Sequence, residues 1–324
     1  PKFLAEAVTD ALQTKKKTMA QRAWDVTLLY PKAASQAAKT IFSPVTHARN
    51  FVSAAAFAAA NGNLLNPQNY KSAGRLAFGP ALSDSLFSGK PFTKQALREY
   101  NELQRLQVVG TSVKGREIKE TMALLDWKDI ANNNIQGFQP LLRPFARLKS
   151  GLEKLYFAED DFWKIVSFNG EYNKLLNAYR RGDPTKYAKL TPQLSQGIRE
   201  EAAAIVRDTV PNYDLVAPWI KGFRYLPIGN FVAFPSEIMR TSNNIMKQAI
   251  KEINSKNPYI RSIGEKRLMG FATTVGALPP AIVASYKTIH GVGENEMQAL
   301  NQVVSNFEKD KVLVPMGKNE KGDF

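Results

Sequence analysis

The residues best suited to chemistry in this sequence are the acidic run Glu159-Asp160-Asp161 and, about three helical turns later, Glu171. Clustered carboxylates can ligate a metal ion or act as a general acid–base pair. Consecutive residues of a helix point in different directions, however, so the three side chains of the run do not converge. The Glu-x-x-His spacing of helical metal sites is also absent. We therefore expect a solvated face, or salt bridges to Lys154 and Lys164.

Two residue types on which many active sites depend are scarce or missing. The sequence contains no cysteine, and its two histidines are His47 and His290. This composition excludes a thiolate zinc site and a cysteine nucleophile, and it leaves little material for a histidine metal centre or a Ser-His-Asp triad. We predict no catalytic residue, metal ligand, cofactor or small-molecule substrate, and so no enzymatic activity in this segment.

The nearest approach to a nucleotide-binding motif is the stretch from Gly110 to Glu117. A P-loop needs Gly-Lys-Ser/Thr after four spacer residues, because the lysine reaches the phosphates and the hydroxyl ligates magnesium. Arg116 and Glu117 stand in those two places, and no strand is predicted before the loop. A basic turn between helices is the better interpretation.

The positive charge suggests a polyanionic partner. The net charge is +15, and most of it lies in residues 1–150. The run Lys15-Lys16-Lys17, with Arg22 beyond it, is the best local candidate for phosphate contacts with DNA, RNA or an anionic membrane. The alternatives are a solubilising face and a surface that pairs with an acidic protein.

The tryptophans allow two interpretations. Their rings could stack on bases or lie at a lipid interface, but large aromatic side chains more often anchor a core or a protein contact. We favour core or protein contact for all four, which are Trp24, Trp127, Trp163 and Trp219.

Helical capping and periodicity extend along nearly the whole chain. Ser43-Pro44, Thr93, Thr191-Pro192, Ser236 and Asn257-Pro258 are typical helix starts, because their side chains can accept hydrogen bonds from the first free backbone N–H groups. Further predicted features are a left-handed cap at Asn61-Gly62-Asn63, a helix stripe of Leu97, Tyr100, Leu103 and Leu106, a helix at 116–126, a long helix from Arg143 to Arg180 stopped by Gly182-Asp183-Pro184, and a helix from Glu294.

These signals predict a mainly α fold, an irregular array of many helices with proline-rich connections and little or no sheet. Residues 210–236 should form short helices and turns buried by aromatic packing. We divide the chain into a basic Ala-rich region with a loop (1–92), a region with the long helix (93–190) and a region with the Pro/aromatic connector (191–324). Residues 312–315 could form a lone strand, and both chain ends read as cuts within a longer protein.

Two apolar stretches are too short or too broken to span a bilayer alone. The first, 51–60, has about half the roughly 20 residues needed, and the second, 271–285, is interrupted by Pro279-Pro280. The Ala-rich helix near 45–60 could insert shallowly in a membrane. Close packing in an oligomer is favoured, because the segment is short and lacks a strongly charged opposite face.

Four phrases of this sequence resemble phrases that recur, in the same order, in the very large internal virion proteins of marine T7-like podoviruses. They cover most of residues 40–324. The four are 42–51 with the Ala-rich stretch after it, 155–164 leading to Glu171 and Leu175, 205–213 with 226–242, and 264–268 with 291–300 and the tail after Val312.

The resemblance implies a protein packaged in the virion interior, near the portal. Such proteins form a core stack and are released through the tail to help build a conduit for DNA across the host envelope. The implied partners are other copies of the chain, other internal virion and portal proteins, phage double-stranded DNA and the host envelope membrane after ejection. The alternative is a nucleic-acid-binding module that flanks a virion-packaged polymerase or another enzyme domain.

Overall fold

The computed structural model describes residues 43–83, 93–111, 139–222 and 233–304, apart from 278–279, 281–282, 285–286 and 288–291. Within these ranges the chain is helical and has no strand, which confirms the mainly α prediction. The helices are α1 (Pro44–Ala60), α2 (Ala73–Ser83), α3 (Lys94–Arg105), α4 (Gln139–Gly182), α5 (Pro184–Tyr187), α6 (Pro192–Thr209), α7 (Pro218–Gly222), α8 (Ala233–Ile253), α9 (Pro258–Ala272) and α10 (Glu294–Val303). Short 3-10 turns occur at Pro67–Tyr70 and Tyr213–Leu215, and a π-helical turn at Thr273–Ala277.

Several predicted helix ends are confirmed by their capping hydrogen bonds. The side chains of Thr93, Thr191 and Asn257 accept from the backbone N–H groups of Ala96, Leu194 and Tyr259, respectively. At the end of α1, Gly62 has a φ of 69°. Its N–H donates to the carbonyl of Ala59, and that of Asn63 donates to Ala58, the paired pattern of a left-handed C-cap.

The structure corrects the predicted start of α8 and the predicted burial around Trp219. Helix α8 begins at Ala233, so Ser236 lies inside its first turn and does not cap it. Pro235 does not prevent the earlier start, because the first N–H groups of a helix have no intrahelical partner to lose. Trp219 is 69% exposed, so it is not buried as predicted for residues 210–236, although protein contact by its ring stays a prediction. Leu97, in the predicted apolar stripe of α3, is 47% exposed. Periodicity and aromaticity do not reveal whether a neighbouring element covers a residue.

The long helix α4 is the central element of the molecule. Its 44 residues span about 66 Å at 1.5 Å per residue. It extends the predicted helix from Arg143 to Arg180 at both ends and stops before Asp183, as predicted. Helices α1, α2, α5, α6 and α9 all pack against it. Elements from the three predicted regions therefore meet on one helix.

Aromatic side chains form the core around the middle of α4. Trp163 is 7% exposed, and its ring centroid lies 5.1 Å from those of Phe51 on α1 and Phe162. Tyr70 packs edge-on against Trp163 at 6.0 Å. The core prediction is confirmed for Trp163, whereas Trp24 and Trp127 lie outside the described residues.

Glycines allow two close helix contacts. A Cβ atom on Gly264 of α9 would lie 2.7 Å from the carbonyl oxygen of Ala249 on α8, and one on Gly270 would lie 2.8 Å from the carbonyl oxygen of Ala59 on α1. Helix α9 is thus wedged between α8 and the Ala-rich end of α1. The Ala-rich helix therefore packs closely within the chain, and its packing in an oligomer stays a prediction.

No helix in the described part of the chain has the length and apolarity needed to cross a bilayer. The predicted helix at 116–126 and the predicted strand at 312–315 lie outside the described residues.

Candidate functional site

The most highly charged buried site of the described chain surrounds Arg267 on α9. This side chain has 0% exposure. Its guanidinium donates to Glu171 Oε2 at 2.7 Å, to Glu252 Oε1 at 2.8 Å and to Asn61 Oδ1 at 2.6 Å. Because guanidinium is a planar fork of five donors, one side chain can bind two carboxylates and an amide at once.

Glu171, on α4, is the acid on which this site converges. Besides Arg267, it accepts from Lys174 Nζ and from Asn63 Nδ2, both at 2.9 Å. Burial raises the pKa of Glu171, but the charges and hydrogen bonds of Arg267 and Lys174 outweigh burial and hold that pKa at about 2. Burial lowers the pKa of Lys174, and the charge of Glu171 opposes this effect.

This ionic centre joins four helices. Arg267 comes from α9, Glu171 and Lys174 from α4, Glu252 from α8, and Asn61 from the cap of α1. Both carboxylates bind the Arg267 guanidinium, and they are at most 4% exposed. A carboxylate that is ionised, buried and fully hydrogen-bonded is a poor proton acceptor for a substrate. The arrangement fixes helix positions and offers no reactive group.

A second polar cluster surrounds Asp161 on the same helix. Its carboxylate accepts from the Tyr100 hydroxyl at 2.9 Å and from the Gly110 backbone N–H at 2.8 Å. Burial raises the pKa of Asp161 to about 6, although Lys164 opposes the shift. Burial and the adjacent carboxylate also raise the pKa of Tyr100. The cluster connects α4 to α3 and to the first residues of the Gly110 loop, the rest of which lies outside the described residues.

The acidic run Glu159-Asp160-Asp161 diverges, as predicted. Glu159 binds His47 Nδ1 on α1 at 2.6 Å, Asp160 pairs with Lys164 at 2.7 Å, and Asp161 faces α3. The predicted salt bridge to Lys164 is therefore confirmed. The predicted solvated face is wrong for Glu159 and Asp161, which are 8% and 2% exposed. Burial raises the pKa of Glu159, and His47 opposes that rise.

A third polar cluster holds α8 against the end of α6. Glu237 is 1% exposed and accepts from the Asn212 backbone N–H at 3.0 Å. Arg240 donates to the same carboxylate at 2.8 Å and also reaches the backbone carbonyls of Arg207 and Asp208. The guanidinium thus caps the C-terminal end of α6 while it neutralises Glu237.

No group of three potential His, Cys, Asp or Glu metal ligands converges anywhere in the described residues. A shallow surface cleft of about 220 Å³ lies between α4 and the turn before α2. Its lining is polar and contains neither a carboxylate nor a histidine: Gln68, Lys71, Ser72, Asn169, Tyr172 and Asn173. The Asn169 amide already donates to the backbone carbonyls of Asn69 and Lys71. The cleft therefore brings no acid–base pair together.

The predicted nucleic-acid-binding residues Lys15, Lys16, Lys17 and Arg22 lie outside the described residues. The buried polar residues were missed by sequence reasoning, because their partners are distant in the chain. Glu171 and Arg267 are 96 residues apart. The sequence does contain one indication of these buried groups. The acidic run and Glu171 lie among the apolar residues of a helix, where a buried charge needs a partner.

Comparison with known protein families, with curated proteins and with solved structures finds no significant match to this chain.

Proposed function

We propose that this chain is a structural, non-enzymatic segment of an internal virion protein that helps to form the capsid core and the conduit for DNA ejection. The proposal starts from the resemblance of four sequence phrases to internal virion proteins of T7-like podoviruses. It places the chain in the virion interior and, after ejection, in the host cell envelope. Its partners would be further copies of the chain and other internal virion and portal proteins.

The proposal is supported mainly by the contacts that residues of the four phrases make with one another in the fold. His47 of the first phrase binds Glu159 of the second. Glu171, in the continuation of the second phrase, binds Arg267 of the fourth. The two parts of the third phrase join through Asn212 and Glu237. The residues that carry the resemblance thus make buried contacts between distant parts of the chain. Proteins that share a fold are expected to share residues at such contacts.

The use of the carboxylates supports a role without catalysis. Glu171 and Glu252 are paired with Arg267, Glu237 with Arg240, and Glu159 with His47. A general acid–base mechanism needs a carboxylate that can contact a substrate. These carboxylates are instead bound to basic side chains of the protein.

An exposed apolar row on α8 supports assembly with other copies. Met239, Met246 and Ile250 are 76%, 44% and 53% exposed. Their spacing of seven and four residues aligns them on one side of the helix. Met269 on the adjoining helix α9 is 69% exposed. Exposed apolar side chains aligned in this way are typical of a protein interface, and a core stack or conduit requires such interfaces between subunits.

A single introduced thiol tests this assembly. The chain contains no cysteine, so Met246→Cys creates a unique reporter in the middle of the apolar row. The matched control is Lys94→Cys at an exposed position in the first turn of α3. The rate of reaction with a thiol reagent is measured for both variants over a wide range of protein concentration.

If copies assemble through the row, the Met246→Cys thiol reacts at least tenfold more slowly than the control at high concentration. The difference should shrink on dilution as the assembly dissociates. Equal rates for the two thiols at every concentration would contradict the proposed interface.

A further inference from the structure

One end of the molecule brings two sequence-distant basic segments together. The Asn257 side chain, in the turn between α8 and α9, donates to the Ala178 carbonyl of α4 at 3.1 Å and leaves no room for a Cβ atom on Gly182. Just beyond, the rings of Tyr179 and Tyr187 stack at 5.2 Å and fix α5 against α4. Residues 180–189 and 254–261 therefore form a single surface, which we name the basic end.

The basic end carries six exposed cations, and none of them pairs with a carboxylate among the described residues. They are Arg180, Arg181, Lys186, Lys189, Lys256 and Arg261. In the centre of the molecule, by contrast, Arg267, Lys174, Lys164 and Arg240 are each matched to an acid. Unmatched cations that cluster in space produce a positive potential, which attracts a polyanion.

Two acids near this surface are engaged by neighbouring groups. Asp183 caps α5 by accepting from the Lys186 backbone N–H at 3.0 Å, and Glu201 accepts from the Tyr179 hydroxyl at 2.7 Å. Even when both are counted as full negative charges together with Glu265, one turn beyond Arg261 on α9, six cations against three acids leave a net charge of +3. The surface remains strongly positive.

Local stability explains only part of this charge. Arg180 and Arg181 lie in the last turn of α4, where cations interact favourably with the helix dipole. Arg261, however, lies close to the start of α9, where the dipole disfavours a cation, and Lys256 lies in the turn before it. A basic residue at these two positions adds little to the stability of the fold. Basic residues that do not stabilise the fold are expected on a surface that binds an external anion.

We infer that the basic end binds the phosphate backbone of nucleic acid; that the nucleic acid is double-stranded DNA rests on the proposed function. Side-chain amides, hydroxyls, lysines and arginines are the usual phosphate contacts, and the Asn254-Ser255-Lys256-Asn257 turn supplies all but arginine. An anionic membrane fits less well. The one large hydrophobic residue exposed in these segments is Tyr259, and its ring faces the guanidinium of Arg181 at 5.8 Å. Stable membrane adsorption is strengthened by apolar insertion, which this surface does not offer, as well as by charge.

The test compares two full-length variants with the same change in net charge. The first replaces Lys186, Lys189, Lys256 and Arg261 with alanine. The control replaces four exposed cations elsewhere that make no ion pair among the described residues: Lys71, Lys94, Arg105 and Lys266. Binding to a labelled mixed-sequence DNA duplex is followed by fluorescence anisotropy over a range of salt concentrations. Vesicles of equal parts phosphatidylserine and phosphatidylcholine are tested in parallel, and circular dichroism checks the fold of each variant.

The first variant should bind DNA at least tenfold more weakly than the wild type at low salt. The slope of log affinity against log salt should become shallower by up to about 3.6, since each of the four lost phosphate contacts contributes about 0.9. The control should retain most of the affinity and slope. Equal losses in the two variants, no DNA binding by the wild type, or binding to vesicles but not to DNA would each overturn the inference. If DNA binding follows the basic end while the Met246→Cys thiol shows no protection, the proposed assembly fails and the phosphate contact stands.

Discussion

Arg267 has no exposed surface, so its charge must be balanced by neighbouring side chains and not by water. The balance comes from Glu171 and Glu252, both buried, with Lys174 beside Glu171. Pairs of this kind contribute little net stability when intact, because the desolvation of each charge offsets the attraction. Removal of one partner is much more costly, since the remaining charge stays buried and unpaired.

Replacement of Arg267 by methionine should therefore destabilise the protein by about 3–5 kcal/mol. The matched control is Lys266→Met on the same helix, where the side chain is exposed, and its effect should stay within about 0.5 kcal/mol. Urea denaturation followed by circular dichroism measures both. A similar small loss in the two variants would show that the ionic centre does not hold the helices together.

Asp161 and Glu171 should affect the pH dependence of stability in opposite directions. The folded-state pKa of Asp161 is about 6, against 3.8 for the free side chain, so folding favours its protonated form. The stability from this group is fully present below pH 3.8 and is lost as the pH rises through 6; it amounts to about 3 kcal/mol. For Glu171 the pKa falls from 4.5 to about 2, so its stabilisation is present above pH 4.5 and is lost as the pH falls towards 2.

Asp161→Asn isolates the first effect. The wild type should become more stable as the pH falls from 7 to about 4.5, and the variant should lose most of that gain, because the amide does not titrate. The control is Asp208→Asn at an exposed position of α6, whose pH profile should parallel the wild type. Urea midpoints at a series of pH values measure the slopes. An unchanged slope in Asp161→Asn would contradict the raised pKa.

At the scale of elements, the contact between α8 and α9 depends on the absence of a side chain at Gly264. A Cβ atom there would lie 2.7 Å from two backbone atoms of α8, the Ala249 oxygen and the Ile253 nitrogen. Backbone atoms cannot move out of such a clash by rotation about a side-chain bond. The two helices would have to separate, and Arg267 would move with α9.

Gly264→Ala should therefore destabilise the protein by about 1–3 kcal/mol. Gly197 provides the control, since it lies inside α6 and an added Cβ meets no atom within 4 Å. Gly197→Ala should be neutral or stabilising by up to about 1 kcal/mol, because alanine favours the helix. Thermal or urea unfolding compares the two. Stabilisation by both substitutions would mean that α8 and α9 are farther apart than described.

Helix ends could be predicted from the sequence because caps are local. Thr93, Thr191 and Asn257 bond to N–H groups two or three residues away, so the signal and its effect share a short window. The start of α8 was missed, because Pro235 tolerates a first-turn position and Ser236 only resembles a cap. The ionic centre was missed for a different reason: Asn61 and Arg267 are 206 residues apart, and helical periodicity contains no information on such pairings.

At the scale of the whole molecule, the two proposed contact surfaces are neighbours that share no residue. The apolar row ends at Ile250 and the basic end begins at residue 254, about 6 Å further along the helix direction at 1.5 Å per residue. The chain can therefore bind another copy through one surface and phosphate through the other. Because no residue belongs to both surfaces, substitutions can remove each contact without replacing a residue of the other.

The central proposal, a structural segment that assembles with its own copies, is tested most directly by the molar mass in solution. Light scattering on a size-exclusion column should give a mass that is a multiple of the 36.1 kDa chain and that falls on dilution. Met239→Glu combined with Met246→Glu should reduce that mass to 36.1 kDa, because charges in the apolar row oppose its burial. A wild-type mass of 36.1 kDa at every concentration would contradict the account.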